Sequence, residues 1–580
     1  MKRLFTIILS VLPLLASAQE SLNVTVDAPG QLEKQIEKDK RMMIGELKVS
    51  GPLNNADVKL LQQIVNRTKA NAKKGECIVT SVDLSEAFFT NEKGIVANML
   101  SPNELPNGLF SGAKKLLKVV LPSNVTNISK SCFDGCSSLQ TLDIPQNVTV
   151  IGNEAFQDCE ALAAITIPAG VTSIGSEAFE GCKSLQQIEI PENVKEIGVE
   201  AFNDCQSLTS ANILGNIKKI SNALFKDCKS LASVSLPKSV NTIGNDAFRG
   251  CQSLQSIQLP DGTDEIGNSA FEKCKSLTTI EMSGVKKVGS NAFEDCQSLS
   301  DVTLEKLSKL GSGAFKNCTS LNNVVIQGDL DEINSNTFIG CTSLSSIQLP
   351  ATVKEIGSNA FEKCQNLAAI QLPSSLTKIG SSAFENCASL REAIIPSMVK
   401  SIGNSAFKNC TSLDSVSISG IITEIGNSTF FHCSALRSVQ LPTSVTKIET
   451  KAFQECSSLQ NINLPVALLQ IGDDAFEKCS SLTSIKLPVA VQSIGSDAFY
   501  ECTMLAKVEL SVALKKIGGS AFAKCPSLRE VILNSPAPPS ISKSTFKDVV
   551  SCTYWIPKAS KALYMANKDW VKIVVIKEKP

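Results

Sequence analysis

Apolar positions along this chain return with a long period, not with the period of one helix or one strand. Between Cys136 and Cys525 a cysteine recurs eighteen times, at intervals of 23 residues except for two of 22. A phenylalanine stands three residues before each, from Phe133 to Phe522, and a leucine three residues after, from Leu139 to Leu528. Upstream, Phe110 and Leu116 flank Ala113 in the cysteine position; downstream, Phe546 survives while Val549 replaces the cysteine. Such self-similarity marks stacked coils, because one coil cannot bury its apolar face alone.

The unit reads I-G-x-x-A-F-x-x-C-x-x-L-x-x-I-x-I/L-P, as in Ile174 to Pro191. Its tail alternates with period two (Leu185, Ile188, Ile190), which predicts a short strand with one buried face, ended by proline. The V-x-x-I-G segment, such as Val171 to Gly175, predicts a second extended piece turned by glycine. The A-F-x-x-C piece is too short for an independent helix and predicts a single helical turn. Phe361, Cys364 and Leu367 of one coil, and Phe384, Cys387 and Leu390 of the next, are thus expected in the core. Two adjacent 22-residue coils, Cys274 to Cys296 to Cys318, are read either as a local bend or as drift in a loop.

The I-G-x-x-A-F-x-x-C-x-S-L core, for instance Ile402 to Leu413, resembles the 23-residue repeats of the BspA-like leucine-rich repeat family of bacterial surface proteins, the Treponema type. The resemblance runs over about residues 105–580 and includes a closing segment carried by Ile556, Pro557, Lys558, Ser560, Tyr564 and Trp570. It implies an α/β repeat solenoid: a leucine-rich-repeat right-handed superhelix of about 19 coils, with short parallel strands and single convex helical turns, capped at both ends. It also implies adhesion to host matrix proteins or to other cells.

Four segments follow. Residues 1–18 read as a signal peptide: Lys2 and Arg3, an apolar run from Leu4 to Leu15, then Ala16-Ser17-Ala18, with cleavage expected before Gln19. The run is too short to span a bilayer of about 30 Å. Residues 19–105 lack the repeat and read as an N-terminal α/β cap, with strands at Leu22–Val26, Leu47–Ser50 and Cys77–Leu84 and an amphipathic helix at Asp57–Lys69. Residues 106–535 form the solenoid, and 536–580 a degenerate last repeat and C-terminal cap.

Charge and composition remove several classes. Lys plus Arg equals Asp plus Glu, 56 against 56, with no basic stripe to suit nucleic acid or an anionic membrane. The single histidine, His432, occupies a coil position otherwise filled by Asp, Gly, Asn, Lys or Glu, which reads as solvent-facing. Serines lack a G-x-S-x-G elbow, and the repeated Ile-Gly is a turn signal, not a phosphate loop. The chain is therefore expected to be no enzyme, with no catalytic, cofactor-binding or metal-ligating residues. Twenty-one cysteines in an exported chain would ordinarily suggest disulfides. Equivalent Cβ atoms in stacked coils, however, run parallel about 4.8 Å apart, whereas a bridge needs about 3.8 Å, so buried free thiols are expected.

What remains is binding. The outward strand positions, among them Gln348, Gln371 and Gln440, are small, polar, nearly uncharged and almost free of aromatics, which disfavours a glycan pocket. After the strand proline, a usually polar position becomes Val466, Val489 and Val512, each followed by alanine (Ala467, Ala490, Ala513). Such a stripe is either a contact surface or an edge tucked under the C-terminal cap around Tyr554 and Trp555. The sequence points to an exported, cell-surface or secreted recognition protein with a protein partner, of host matrix or envelope origin. An envelope scaffold that self-associates is the second reading.

Overall fold

The computed structural model describes residues 19–66, 78–90, 103–573 and 576–579; the expected signal peptide at 1–18 and Cys77 lie outside them. The chain divides into two units, residues 1–216 and 217–580.

In the first unit, β1 (Glu20–Thr25), β2 (Ile44–Leu53), β3 (Ser81–Asp83) and β5 (Lys118–Val120) form one parallel sheet, with β4 (Ala87–Phe89) also paired to β2. Helix α1 (Leu32–Gln35) is short, and α2 (Asn55–Val65) buries Val58, Leu60, Leu61, Ile64 and Val65. A capping box of Asn54 and Asp57 starts α2. The Asp57 carboxylate also accepts the N–H groups of Gly30 at 2.6 Å and Leu32 at 2.9 Å, tying the two helices together. The strands of residues 19–105 thus prolong the parallel stack. Among the described residues the turns number about 23, where the period alone suggested about nineteen.

Each regular coil bonds to its neighbours through three ladders. The L-x-x-I-x-I strands pair in parallel at one coil's offset, as in Ile188 with Ala211 and Ile190 with Ile213. The x-I-G strands form a second ladder, with Ser173–Ile174 between Val150–Ile151 and Glu196–Ile197. In the second unit this ladder runs unbroken from Lys219–Ile220 to Lys309–Leu310, through both 22-residue coils, and a new one begins at Glu332–Ile333. The shorter coils therefore keep this register.

The third ladder corrects the expected helical turn. In the A-F-x-x-C segment, Phe156 donates its N–H to Ala178 O at 2.7 Å and Asp158 donates to Glu180 O at 2.8 Å, both in the next coil. Within the coil only tight i to i−3 bonds remain, such as Cys159 N–H to Phe156 O at 3.2 Å. The segment leaves helical geometry because Glu154 (φ 58°) and Asp158 (φ 53°) are left-handed, which turns alternate N–H groups sideways toward the neighbour. Non-glycine residues adopt this conformation at a cost of roughly 1–2 kcal/mol each, and the inter-coil bonds offset it. Asp, Asn, Ser, Lys, Glu or Gly fill most of these positions, with Ala223 and His432 as exceptions.

The Ile-Gly glycine has a different task from the expected one. A Cβ on Gly198 would lie 2.2 Å from Ser176 N, and one on Gly380 would lie 2.5 Å from Ser358 N. At these glycines the backbone of the adjacent coil occupies the place of a Cβ, whereas Ser129, Ser221, Asn334 and Glu449 stand at the same position in four other coils.

The core lies inside the coils. Phe361, Cys364, Leu367, Phe384, Cys387 and Leu390 are fully buried. Neighbouring phenylalanine rings stack at 5.1–5.2 Å from Phe110 to Phe202 in the first unit. In the second unit Phe361 and Phe384 lie 5.3 Å apart and 4° from parallel. Ladder thiols donate to the carbonyl of the preceding coil's phenylalanine, Cys364 to Phe338 O at 3.3 Å and Cys387 to Phe361 O at 3.2 Å. Cysteine here combines a small apolar body with a donor for that oxygen's second lone pair.

The second unit closes with strands Thr553–Ile556 and Ile576–Glu578, paired in sequence onto Glu530–Ile532. Helix α3 (Lys561–Ala566) follows the first of them. Tyr564 and Trp570 are fully buried, Tyr564 donating its hydroxyl to Ser535 O at 2.9 Å and Trp570 its Nε1–H to Pro539 O at 2.7 Å. Among the described residues no helix is long and apolar enough to cross a membrane.

Candidate functional site

The strand face is uniform in register but not in hydrogen bonding. Strands Asp301–Leu304, Asn323–Ile326 and Ser346–Gln348 form one ladder, and Glu392–Ile395, Ser415–Ile418 and Ser438–Gln440 form the next. The coil between them supplies residues 369–372, which make no ladder; among the described residues their N–H groups donate to no protein acceptor. Ile370 and Leu372 are only half-buried, whereas Ile347 and Ala393 at the first of these positions in the flanking coils are buried. The sheet has parted, and a groove of about 920 Å³ opens there.

Gln348, Gln371, Ile394, Ser417 and Gln440 follow one another at one coil's spacing and so form a single column. The first three line the groove. Gln440 lies two coils further on, exposed, and accepts a hydrogen bond from Ser417 Oγ at 3.3 Å. Ile394, 59 % exposed, is the apolar member of this column and escaped the sequence reading. Its signal was available: in Glu392-Ala393-Ile394-Ile395 an isoleucine occupies an outward position of a strand whose alternation is otherwise strict.

The valine edge is open. Val466 and Val489 are 73 % and 72 % exposed, so they are not tucked under the cap, while Val512 is partly covered at 48 %. Ala467, Ala490 and Ala513 share a column with two residues of earlier coils, Met398 and Ile421, which are strongly exposed, as is Leu469. The apolar edge therefore begins before the three valines, interrupted by Thr443 and Ser444.

Other chemistry has structural employment. His432 takes the left-handed position before its cysteine (φ 55°), and its Nδ1 lies 2.9 Å from Glu455 Oε2. Burial would raise the Glu455 carboxyl, but hydrogen bonds from Lys478 and His432 outweigh it and hold it below the ordinary range. Burial pushes Cys136 and Cys341 of the ladder up to about 12, so their nucleophilic thiolate is suppressed. Among the described residues no group of three His, Cys, Asp or Glu side chains could hold a metal ion.

Parallel coils carrying a leucine, an aliphatic strand and a phenylalanine ladder define a leucine-rich-repeat solenoid. The chain belongs to the family of the BspA type leucine rich repeat region, which matches residues 103–232, 218–345, 331–458 and 423–553. No curated protein matches the chain. Among solved structures it is similar to a leucine-rich repeat protein from Bacteroides ovatus, at 29 % identity over 71 % of this chain and 88 % of that one, with a TM-score of 0.47. A leucine rich cell surface protein from Faecalibacterium prausnitzii shares 29 % identity over 55 % of this chain and 83 % of that one (TM-score 0.36). The leucine rich repeat protein of T. pallidum shares 32 % identity over 27 % and 77 % (TM-score 0.26). Solenoids of this family are binding scaffolds for protein recognition, typically non-catalytic, and the family is one of bacterial cell-surface proteins.

Proposed function

We propose that this chain is an exported recognition protein, displayed at or shed from a bacterial cell surface, that binds a protein partner over its strand face. The parted coil at residues 369–372 carries this reading: it brings half-buried Ile370 and Leu372 and free backbone N–H groups beside Gln348, Gln371 and Ile394. A polypeptide supplies what such a groove lacks, carbonyl acceptors and apolar side chains together. In this reading residues 1–18 direct export and are cleaved before Gln19, residues 19–105 cap the first coils, and 536–580 cap the last. Adhesion to host matrix or to other cells is the activity this arrangement serves.

The test is capture of host matrix and envelope proteins by the mature chain, compared with an Ile394→Asp plus Gln371→Arg variant of unchanged melting. Loss of a captured partner supports the reading; equal capture overturns the groove. An envelope scaffold is the second reading, favoured by the exposure of Val466 and Val489. Labelling of intact cells separates the two, since a periplasmic scaffold stays unlabelled. A Val466→Ser plus Val489→Ser variant that sediments as the parent does would remove self-association through that edge.

A further inference from the structure

The last coil of the second unit leaves part of the third ladder unfinished. From Phe225 to Phe522, each ladder phenylalanine donates its N–H to the following coil, ending with Phe522 to Thr545 O at 2.8 Å. Two residues on, the left-handed residue does the same, ending with Lys524 to Lys547 O at 2.9 Å. Phe546 and the left-handed Asp548 (φ 62°) occupy the same two positions in the last coil, and among the described residues their N–H groups have no protein acceptor. A cavity of about 450 Å³ lies over this coil, between it and the segment around Trp570–Lys572. Its apolar lining includes Ile541, Phe546, Val549 and Ile573, with Phe546 half-buried. Lys543 and Lys572 line it too; Lys572 pairs with Asp569 at 3.5 Å, and Lys543 has no carboxylate partner among the described residues.

We infer that this cavity binds the C-terminus of a polypeptide ending in a large apolar residue. The apolar floor takes the last side chain, and the carboxylate meets Lys543 and one free N–H. In the inner coils the two N–H groups are satisfied by carbonyls two residues apart, Ala178 and Glu180 for Phe156 and Asp158. Of the two donors left open in the last coil, Phe546 lines the cavity, and its N–H is the one that a terminal carboxylate held beside Lys543 reaches. A volume of about 450 Å³ lies within the range of small-ligand pockets, roughly 300–1,000 Å³. With Lys572 paired to Asp569, the unpaired Lys543 is the charge that favours an anion over a neutral amide at the same place.

The experiment uses the full chain and a fluorescein-labelled hexapeptide ending in phenylalanine with a free carboxylate, followed by anisotropy. The same peptide as its C-terminal amide should bind at least about tenfold more weakly, and Lys543→Ala should weaken the acid by a similar factor. Val549→Trp, which fills the cavity from a half-buried position, should abolish binding with melting unchanged. If that variant misfolds, the acid–amide comparison and Lys543→Ala still decide. Equal binding of acid and amide, or no saturable binding of either, overturns the proposal. Unlabelled N-acetyl-phenylalanine competing as well as the unlabelled hexapeptide overturns the chain terminus in favour of a free aromatic acid.

Discussion

The inside and the outside of these coils follow opposite rules. Inside, the phenylalanine column keeps one residue type from Phe110 to Phe546 and the cysteine column from Cys136 to Cys525: the rings stack on one another and the thiols reach back to the previous coil's phenylalanine carbonyl, as Cys387 does. Outside, the column running through Gln348, Gln371, Ile394, Ser417 and Gln440 changes chemistry almost at each step. Repetition within and variation without mean that stability is shared among all coils, whereas specificity belongs to the few coils that depart from the rest. The same substitution should therefore have very different effects on the two sides.

The sharpest contrast is Phe361→Ala, expected to cost on the order of 3–5 kcal/mol because the ring is fully buried between two others. Gln348→Ala should change stability by no more than about 0.5 kcal/mol. Denaturant titrations of both variants check this, and equal losses would erase the distinction. Gly380→Ala comes next, at roughly 1–3 kcal/mol for overpacking against Ser358 N.

Alkaline pH probes the interior as a whole. An unfolded thiol ionises near its ordinary value of 9.0, while burial pushes Cys136 and Cys341 up to about 12. Because the folded value is the higher, the thiols' contribution is whole below pH 9.0 and is lost as pH rises toward 12. Melting temperature should hold steady from neutral pH to just under 9.0 and fall above it. Alanine at Cys364 and Cys387 should make that fall shallower; an unchanged slope would show that other groups cause it. On the outside, Val466→Ser with Val489→Ser should leave melting within about 0.5 kcal/mol of the parent, as suits residues already in water. His432→Ala is likewise expected to have a small effect, its exposed contact with Glu455 being worth no more than about 1 kcal/mol.

The period, the buried columns and the strand after most of the leucines were legible because repetition turns a weak local signal into an alignment of the chain with itself. The role of the Ile-Gly glycine was not. Sequence shows where glycine stands but not that the backbone of the coil beside it fills the Cβ position, as Ser176 does for Gly198. The helical turn failed for a related reason: left-handed Glu154 and Asp158 are locally unfavourable and make sense only through bonds to another coil. Strands β1 to β3 joined the stack without the phenylalanine–cysteine signature that would have announced them. At the candidate surface, Val466 and Val489 stood out because adjacent coils share them. Ile394 was overlooked because it departs from its column in a single coil, and Met398 and Ile421 because Ser444 separates them from the alanines of their column.

The constant offset between bonded partners has an evolutionary meaning. Phe361 bonds to Ala383 as Phe384 bonds to Ala406, so removing or duplicating a complete 23-residue segment would rejoin donors to acceptors of the same kind. A one-residue deletion has no such equivalence, except in a loop able to absorb it, as the two 22-residue coils show. Unequal recombination between near-identical repeats can thus alter gene length in whole steps at little cost to folding. Each step adds or deletes one row of the outer face, giving the lineage a means of redrawing its binding surface without redesigning its core.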